Sequence, residues 1–177
     1  MSDPFADDLI ALLPNLRRFA LSVCRSRDVA DDLVQITVER AFSGRAGFDP
    51  ATRLDAWLFR ILRNAWIDMV RRSKTRGIEI DIADAPDAPS VDGRKTVETV
   101  LMLKSARAEI NRLPPDQREV ILLICVEELS YKEAAGVLDV PIGTVMSRLA
   151  RARIALSKAM GINPPPARFP DRAGDTA

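Results

Sequence analysis

Six cations, Arg60, Arg63, Arg71, Arg72, Lys74 and Arg76, stand close together with Asp68 as the one anion among them, and Phe59 and Trp66 are interleaved with them. Cations neutralise phosphates and aromatic faces stack on unpaired bases, so this mixture suits single-stranded nucleic acid. The same pattern arises when cations complement a helix C-terminus and the rings are core. A second constellation runs from Leu129 to Leu149. Ser130 and Glu133 have the spacing of a capping box, Asp139 suits the left-handed residue of a tight turn, and Pro141 opens a new helix. Two helices so joined, with the small Ala135 at their crossing, make a helix-turn-helix whose second helix can enter a DNA major groove. At helical spacing Val145, Leu149, Ala152 and Leu156 face inward, while Gly143, Met146, Ser147, Ala150 and Arg151 face outward. Thr144 and Arg148 lie on the flank, where they reach phosphates.

Other chemistry is excluded. The 177 residues contain no His, which removes Ser-His-Asp and Cys-His nucleophiles, His-ligated zinc and His general bases. There is no Gly-rich phosphate loop or metal-ligand cluster, so no catalytic residue, metal or cofactor is assigned. Cys24 and Cys125 are too few for a disulfide framework, and the apolar residues around each predict two core thiols in a reducing cytosol.

The elements that position these groups are helical throughout. Apolar residues recur at helical spacing from Phe5 to Cys24, with Pro14 either kinking that helix or starting its second half. A second helix, capped near Asp28, turns Ala30, Leu33, Val34, Thr37, Val38, Ala41 and Phe42 to one side and Asp32, Gln35, Ile36, Glu39 and Arg40 to the other. That polar side reads either as a solvated face or, because it carries the branched apolar Ile36, as a docking surface. A third helix, from about Arg53 to Arg72, turns Leu54, Trp57, Leu58, Ile61, Leu62, Ala65 and Met69 inward and a stripe of Phe59, Arg63, Trp66 and Val70 outward. A fourth runs from about Val97 to Arg112, and the Val120–Val126 stretch that follows is apolar all round.

Charge divides the chain. Residues 1–77 carry 13 basic and 10 acidic groups, residues 78–98 carry 2 and 6, and residues 99–162 carry 9 and 7. The acidic 78–98 segment also holds Pro86, Pro89 and Gly93, which predicts a flexible linker between two small all-α domains, 1–77 and 99–162. Residues 163–177, opened by three prolines, read as a disordered tail. Asp3, Asp7 and Asp8 stand where a signal peptide would be basic, and no apolar run reaches the length of a membrane span. The chain therefore reads as a soluble cytoplasmic protein without membrane insertion.

Asp31-Asp32-Leu33-Val34-Gln35 in the second helix, Ala56-Trp57-Leu58-Phe59-Arg60-Ile61-Leu62-Arg63-Asn64 in the third and Gly143-Thr144-Val145-Met146-Ser147-Arg148 in the last appear in this order. With the two-block layout they resemble the extracytoplasmic-function (ECF) group of bacterial RNA polymerase sigma factors over residues 5–160. The resemblance implies that the two blocks are sigma regions two and four. It places Asp32, Gln35, Ile36, Glu39 and Arg40 on the clamp helices of core RNA polymerase. Phe48, Arg60, Arg63, Asn64, Arg71 and Arg72 would engage the minus-ten element and its melted strand. Gly143, Thr144, Met146, Ser147, Arg148 and Arg151 would read the minus-thirty-five duplex. Promoter DNA, core RNA polymerase and an anti-sigma factor are the implied partners, and the acidic linker would occupy the RNA exit path. Asp139 departs from the Gly usual in the family's turn, and Met146 from a frequent Lys. The alternative is a helix-turn-helix transcriptional regulator that acts without being a polymerase subunit; it leaves the basic-aromatic third helix and the acidic linker unexplained.

Overall fold

The computed structural model describes residues 3–77 and 97–161, with side chains in the second stretch from residue 105 onward. Seven α-helices and no strand occur among the described residues. They fall into two compact units. One holds α1 (Pro4–Cys24), α2 (Arg27–Gly44), a 3-10 turn (Arg45–Gly47) and α3 (Leu54–Arg76). The other holds α4 (Val97–Arg112), α5 (Pro115–Ile121), a π-helical turn (Leu122–Val126), most of α6 (Tyr131–Leu138) and α7 (Ile142–Ala159). The expected linker 78–98 lies outside the described residues except for Val97 and Glu98, which begin α4, and the expected tail 163–177 lies wholly outside them.

In the first unit α1 starts at Asp3, whose extended backbone and side-chain acceptor for the Phe5 N–H (3.2 Å) precede Pro4 at the first helical position. Asp3 also binds Arg45, with Nη2 at 2.8 Å from Oδ1, and Arg45 lies 4.8 Å over the Phe5 ring. The Arg45 guanidinium holds the Asp3 carboxyl below its ordinary value. α1 continues unbroken through Pro14, and both Pro14 and Ile10, whose carbonyl loses its helical donor there, lie in exposed positions where water can replace that donor.

The core of this unit is Leu9, Leu16, Phe19, Leu33, Leu58, Phe59 and Leu62, each fully or almost fully buried. Each such side chain removed from water contributes about 1.5–3 kcal/mol before the entropy of ordering is counted. Thr37 joins them by donating its hydroxyl to the Leu33 carbonyl at 2.7 Å. Phe5, Phe42, Phe48 and Trp57 form a second cluster, with Phe5–Phe42 centroids at 5.7 Å and Phe48–Trp57 at 5.1 Å.

Three expectations are corrected. Phe59 is not on an outward stripe: it is completely buried, because α3 packs against both α1 and α2 and so buries a wider arc than one helix face. Asp28 does not cap α2, which starts after Ser26 and has no side-chain cap bond, although Asp28 stands in its first turn. Phe42 is 46% exposed, held at the rim by Phe5.

In the second unit Arg118, almost wholly buried, donates Nη1 to the carbonyls of Asn111 and Leu113 at 3.1 and 3.3 Å. It thereby satisfies acceptors that the end of α4 leaves open. Val120, Ile121, Leu122, Leu123 and Ile124 are buried as the all-apolar run predicts, but Val126 is exposed and so is Cys125. Cys125 is therefore not a core thiol. The Glu127 N–H bonds the Leu122 carbonyl at 2.9 Å, one residue further back than in an α-helix, and this wider turn rotates residues 125 and 126 off the buried face. Cys24 is the core thiol expected: its Sγ donates to the Ser26 carbonyl at 3.2 Å and burial pushes its pKa up.

Candidate polymerase and nucleic-acid interfaces

The polar face of α2 is built as the helical period requires. Ala30, Leu33, Thr37 and Ala41 are buried, while Asp32, Gln35, Glu39 and Arg40 are exposed and Ile36 is half-buried between them. Gln35 donates to Glu39 across one turn at 3.0 Å. Arg40 is braced from α3, with both terminal nitrogens on Asp68 Oδ2 at 3.2 and 3.3 Å. Asp31, the first acid of the motif, is held in a fork by Arg17 of α1 at 2.9 and 3.0 Å, so Asp32 is the carboxylate that stands clear of α1. The face thus offers a fixed pattern of two acids, an amide and a cation around one branched apolar side chain.

The end of α3 presents cations. Arg60, Asn64, Arg71, Arg72, Lys74 and Arg76 are exposed, and Arg63 and Trp66 are half-buried. With Phe59 in the core, Trp66 is the one aromatic of the expected stripe with exposed surface. Gly77, left-handed at φ 64, closes the helix, and the cations of its last turn face the carbonyl end of the dipole. Phe48 is half-buried and its ring contacts Trp57 and Phe5, at 6.4 Å from the latter. It is anchored in the aromatic cluster by Phe5 and Trp57.

The helix-turn-helix forms by local chemistry. Glu133 Oε2 accepts from the Ser130 N–H at 2.7 Å and Ser130 Oγ from the Glu133 N–H at 3.2 Å, the reciprocal pair of a capping box that starts α6. Asp139 takes φ 53 after α6, the left-handed turn residue that the sequence predicts. Pro141 precedes α7, on which Val145, Leu149 and Ala152 are fully buried. Gly143, Ser147 and Arg151 are exposed, and Thr144, Met146, Arg148 and Ala150 are half-buried. Ser147 returns its hydroxyl to the Thr144 carbonyl at 3.0 Å. Arg148 departs from a free flank position: its Nε lies 3.2 Å from Asp116 Oδ2 on α5. The sequence signal for this pair is an acid, Asp116, in the first turn of a helix that packs on the cationic α7.

No group of acids and cysteines able to hold a metal ion is present among the described residues. No described helix is long and apolar enough to cross a membrane.

Comparison with known proteins joins the two units in one family. Residues 9–76 match Sigma-70 region 2 and residues 103–156 match Sigma-70, region 4. The ECF RNA polymerase sigma factor EcfG of Rhodopseudomonas palustris is 36% identical over 163 residues, covering 92% of this chain and 88% of that one. SigM of Mycobacterium tuberculosis, an ECF RNA polymerase sigma factor, is 33% identical over 147 residues, 82% of this chain and 71% of its own. Among solved structures, that of the sigma factor RpoE with the anti-sigma factor NepR from Bartonella quintana is similar with a TM-score of 0.73 at 34% identity, covering 90% of this chain and 98% of that one. CnrH in complex with the cytosolic domain of CnrY follows at a TM-score of 0.61 and 28% identity, covering 89% and 87%. Two sigma regions in order along one chain, each on the unit whose geometry suits it, and relatives that span nearly its whole length show that the chain belongs to the ECF RNA polymerase sigma factors.

Proposed function

We propose that this sigma factor docks on core RNA polymerase through Asp32, Gln35, Ile36, Glu39 and Arg40 and carries the enzyme to promoters. Residues 1–77 act as the region-two domain, in which Arg60, Arg63, Asn64, Arg71 and Arg72 bind the minus-ten element and its separated strand, with Phe48 supporting the neighbouring loop. Residues 99–162 act as the region-four domain, in which Gly143, Thr144, Met146, Ser147, Arg148 and Arg151 meet the minus-thirty-five duplex. The acidic segment 78–98 joins them. The chain contributes binding and not catalysis, works in the cytoplasm, and binds an anti-sigma factor, as RpoE of Bartonella quintana is found in complex with the anti-sigma factor NepR.

The observation that carries this reading is the division of labour between two exposed surfaces. α3 ends in a dense group of exposed cations, suited to phosphates of an opened strand, while α7 shows an exposed Gly143–Ser147–Arg151 face backed by buried Val145, Leu149 and Ala152. Run-off transcription with core polymerase and this chain on genomic fragments tests it. Discrete transcripts that need both components are expected. Tight, sequence-specific binding by the free chain with no effect on core polymerase would instead make it a regulator of the ordinary helix-turn-helix kind.

A further inference from the structure

We infer that Asp116 is a positioning residue for DNA recognition: it holds Arg148 of α7 by the Nε edge and so leaves the Nη1–Nη2 edge of the guanidinium set for a backbone phosphate. The proposal rests on the sigma-factor reading of α7 given above. The pair spans α5 and α7, with Nε 3.2 Å from Oδ2, and Arg148 is 24% exposed against 42% for Asp116. A half-sheltered pair is screened less than a surface one, so the carboxylate fixes a side chain that would otherwise sample many rotamers. An arginine has two edges that can bind an oxyanion, and occupying the Nε edge leaves the distal fork, which matches two phosphate oxygens. Arg148 follows Ser147 and lies one turn before Arg151 and Ala152, on the flank of the exposed face, where contacts set register and not base identity.

The inference has an electrostatic signature. An acid beside a DNA-binding helix repels phosphates, so by charge alone removing Asp116 should tighten binding. If Asp116 acts through Arg148, removing it loosens binding instead. The probe is a duplex promoter fragment recovered by run-off with the wild-type holoenzyme, and the measurement is holoenzyme affinity across a series of salt concentrations. Arg148→Ala and Asp116→Ala are each expected to weaken binding about tenfold and to lower the salt slope by about one unit. Asp116→Asn, which keeps an oxygen acceptor for Nε, should stay near wild type. The double variant Asp116→Ala with Arg148→Ala should bind no more weakly than Arg148→Ala alone. Asp116→Ser, too short to reach Nε yet well suited to a helix start, repeats the measurement should the alanine variant not fold.

Equal or tighter binding by Asp116→Ala, or by Asp116→Ser in its place, would overturn the proposal, as would a further loss when Asp116 is removed from the Arg148→Ala protein. A wild-type holoenzyme that selects no promoter fragment overturns the sigma-factor reading itself, a result distinct from either.

Discussion

Phe19 of α1 and Phe59 of α3 meet edge to face, with ring centroids 5.1 Å apart and planes at 63°. Both are completely buried. This contact decides how the cationic end of α3 can work, because it withdraws from solvent the ring that sequence spacing placed beside Arg63. On the proposed reading of α3, strand binding there would rest on the cations and Trp66.

Phe59→Ala should therefore behave as a core mutation. It is expected to destabilise the first unit by about 3–5 kcal/mol, the range for emptying a buried phenylalanine site, with Phe59→Leu losing less. Trp57 and Trp66 are the only tryptophans, and both lie in this unit, so urea unfolding followed by their fluorescence reports it alone. A wild-type midpoint accompanied by loss of promoter opening would return Phe59 to the DNA face.

How much could be read from the chain depends on the range of the forces involved. The capping box of Ser130 and Glu133, the left-handed Asp139 and the buried Val145–Leu149 pair are consequences of neighbours in sequence, and all were legible. The polar face of α2 was legible for the same reason. Phe59 was not, because a period locates one buried face and α3 has neighbours on two sides. Cys125 was misplaced by a single wide turn that no composition rule anticipates. The Arg148–Asp116 and Arg40–Asp68 pairs, like the cluster of Phe5, Phe42, Phe48 and Trp57, join residues whose proximity exists only after the helices pack.

Asp32→Ala combined with Gln35→Ala should remove binding to core polymerase and leave the fold intact. Both residues are exposed, and the bond lost is the surface Gln35–Glu39 contact, worth about 0.2–0.5 kcal/mol. Competition with wild type for core polymerase, alongside far-UV circular dichroism, checks both halves. Undiminished competition would show that the enzyme docks elsewhere.

The N-terminal turn of α1 should loosen in acid. Asp3 has its pKa lowered by Arg45, so its contribution is complete above the ordinary carboxylate value of about 3.9 and is lost as pH falls through the lower folded value. Hydrogen exchange at the Phe5 amide, which donates to Asp3, should rise over that interval. In Asp3→Asn the same amide should show no such step. A step that persists in the variant would assign it to another carboxylate.

Arg63→Ala and Arg151→Ala should fail at different stages of initiation. Arg63 lies half-buried on α3 one turn before Trp66, at the edge of the exposed cation group, and an arginine there is placed to hold the phosphates of a strand once it is unpaired. Its loss should slow opening, seen as weaker permanganate reactivity of unpaired thymines, with upstream duplex binding retained. Arg151 is exposed on α7 and backed by the buried Ala152, so it can reach base edges in the upstream duplex. Its loss should cost about 1–3 kcal/mol of upstream binding if it reads a guanine. A template with a pre-melted bubble supplies the opened strand and nothing else. It should restore initiation to Arg63→Ala, whose defect precedes the bubble, and leave Arg151→Ala impaired, since its missing contact lies in DNA that never melts. Rescue of Arg151→Ala alone would reverse the assignment of opening to the first unit and duplex reading to the second.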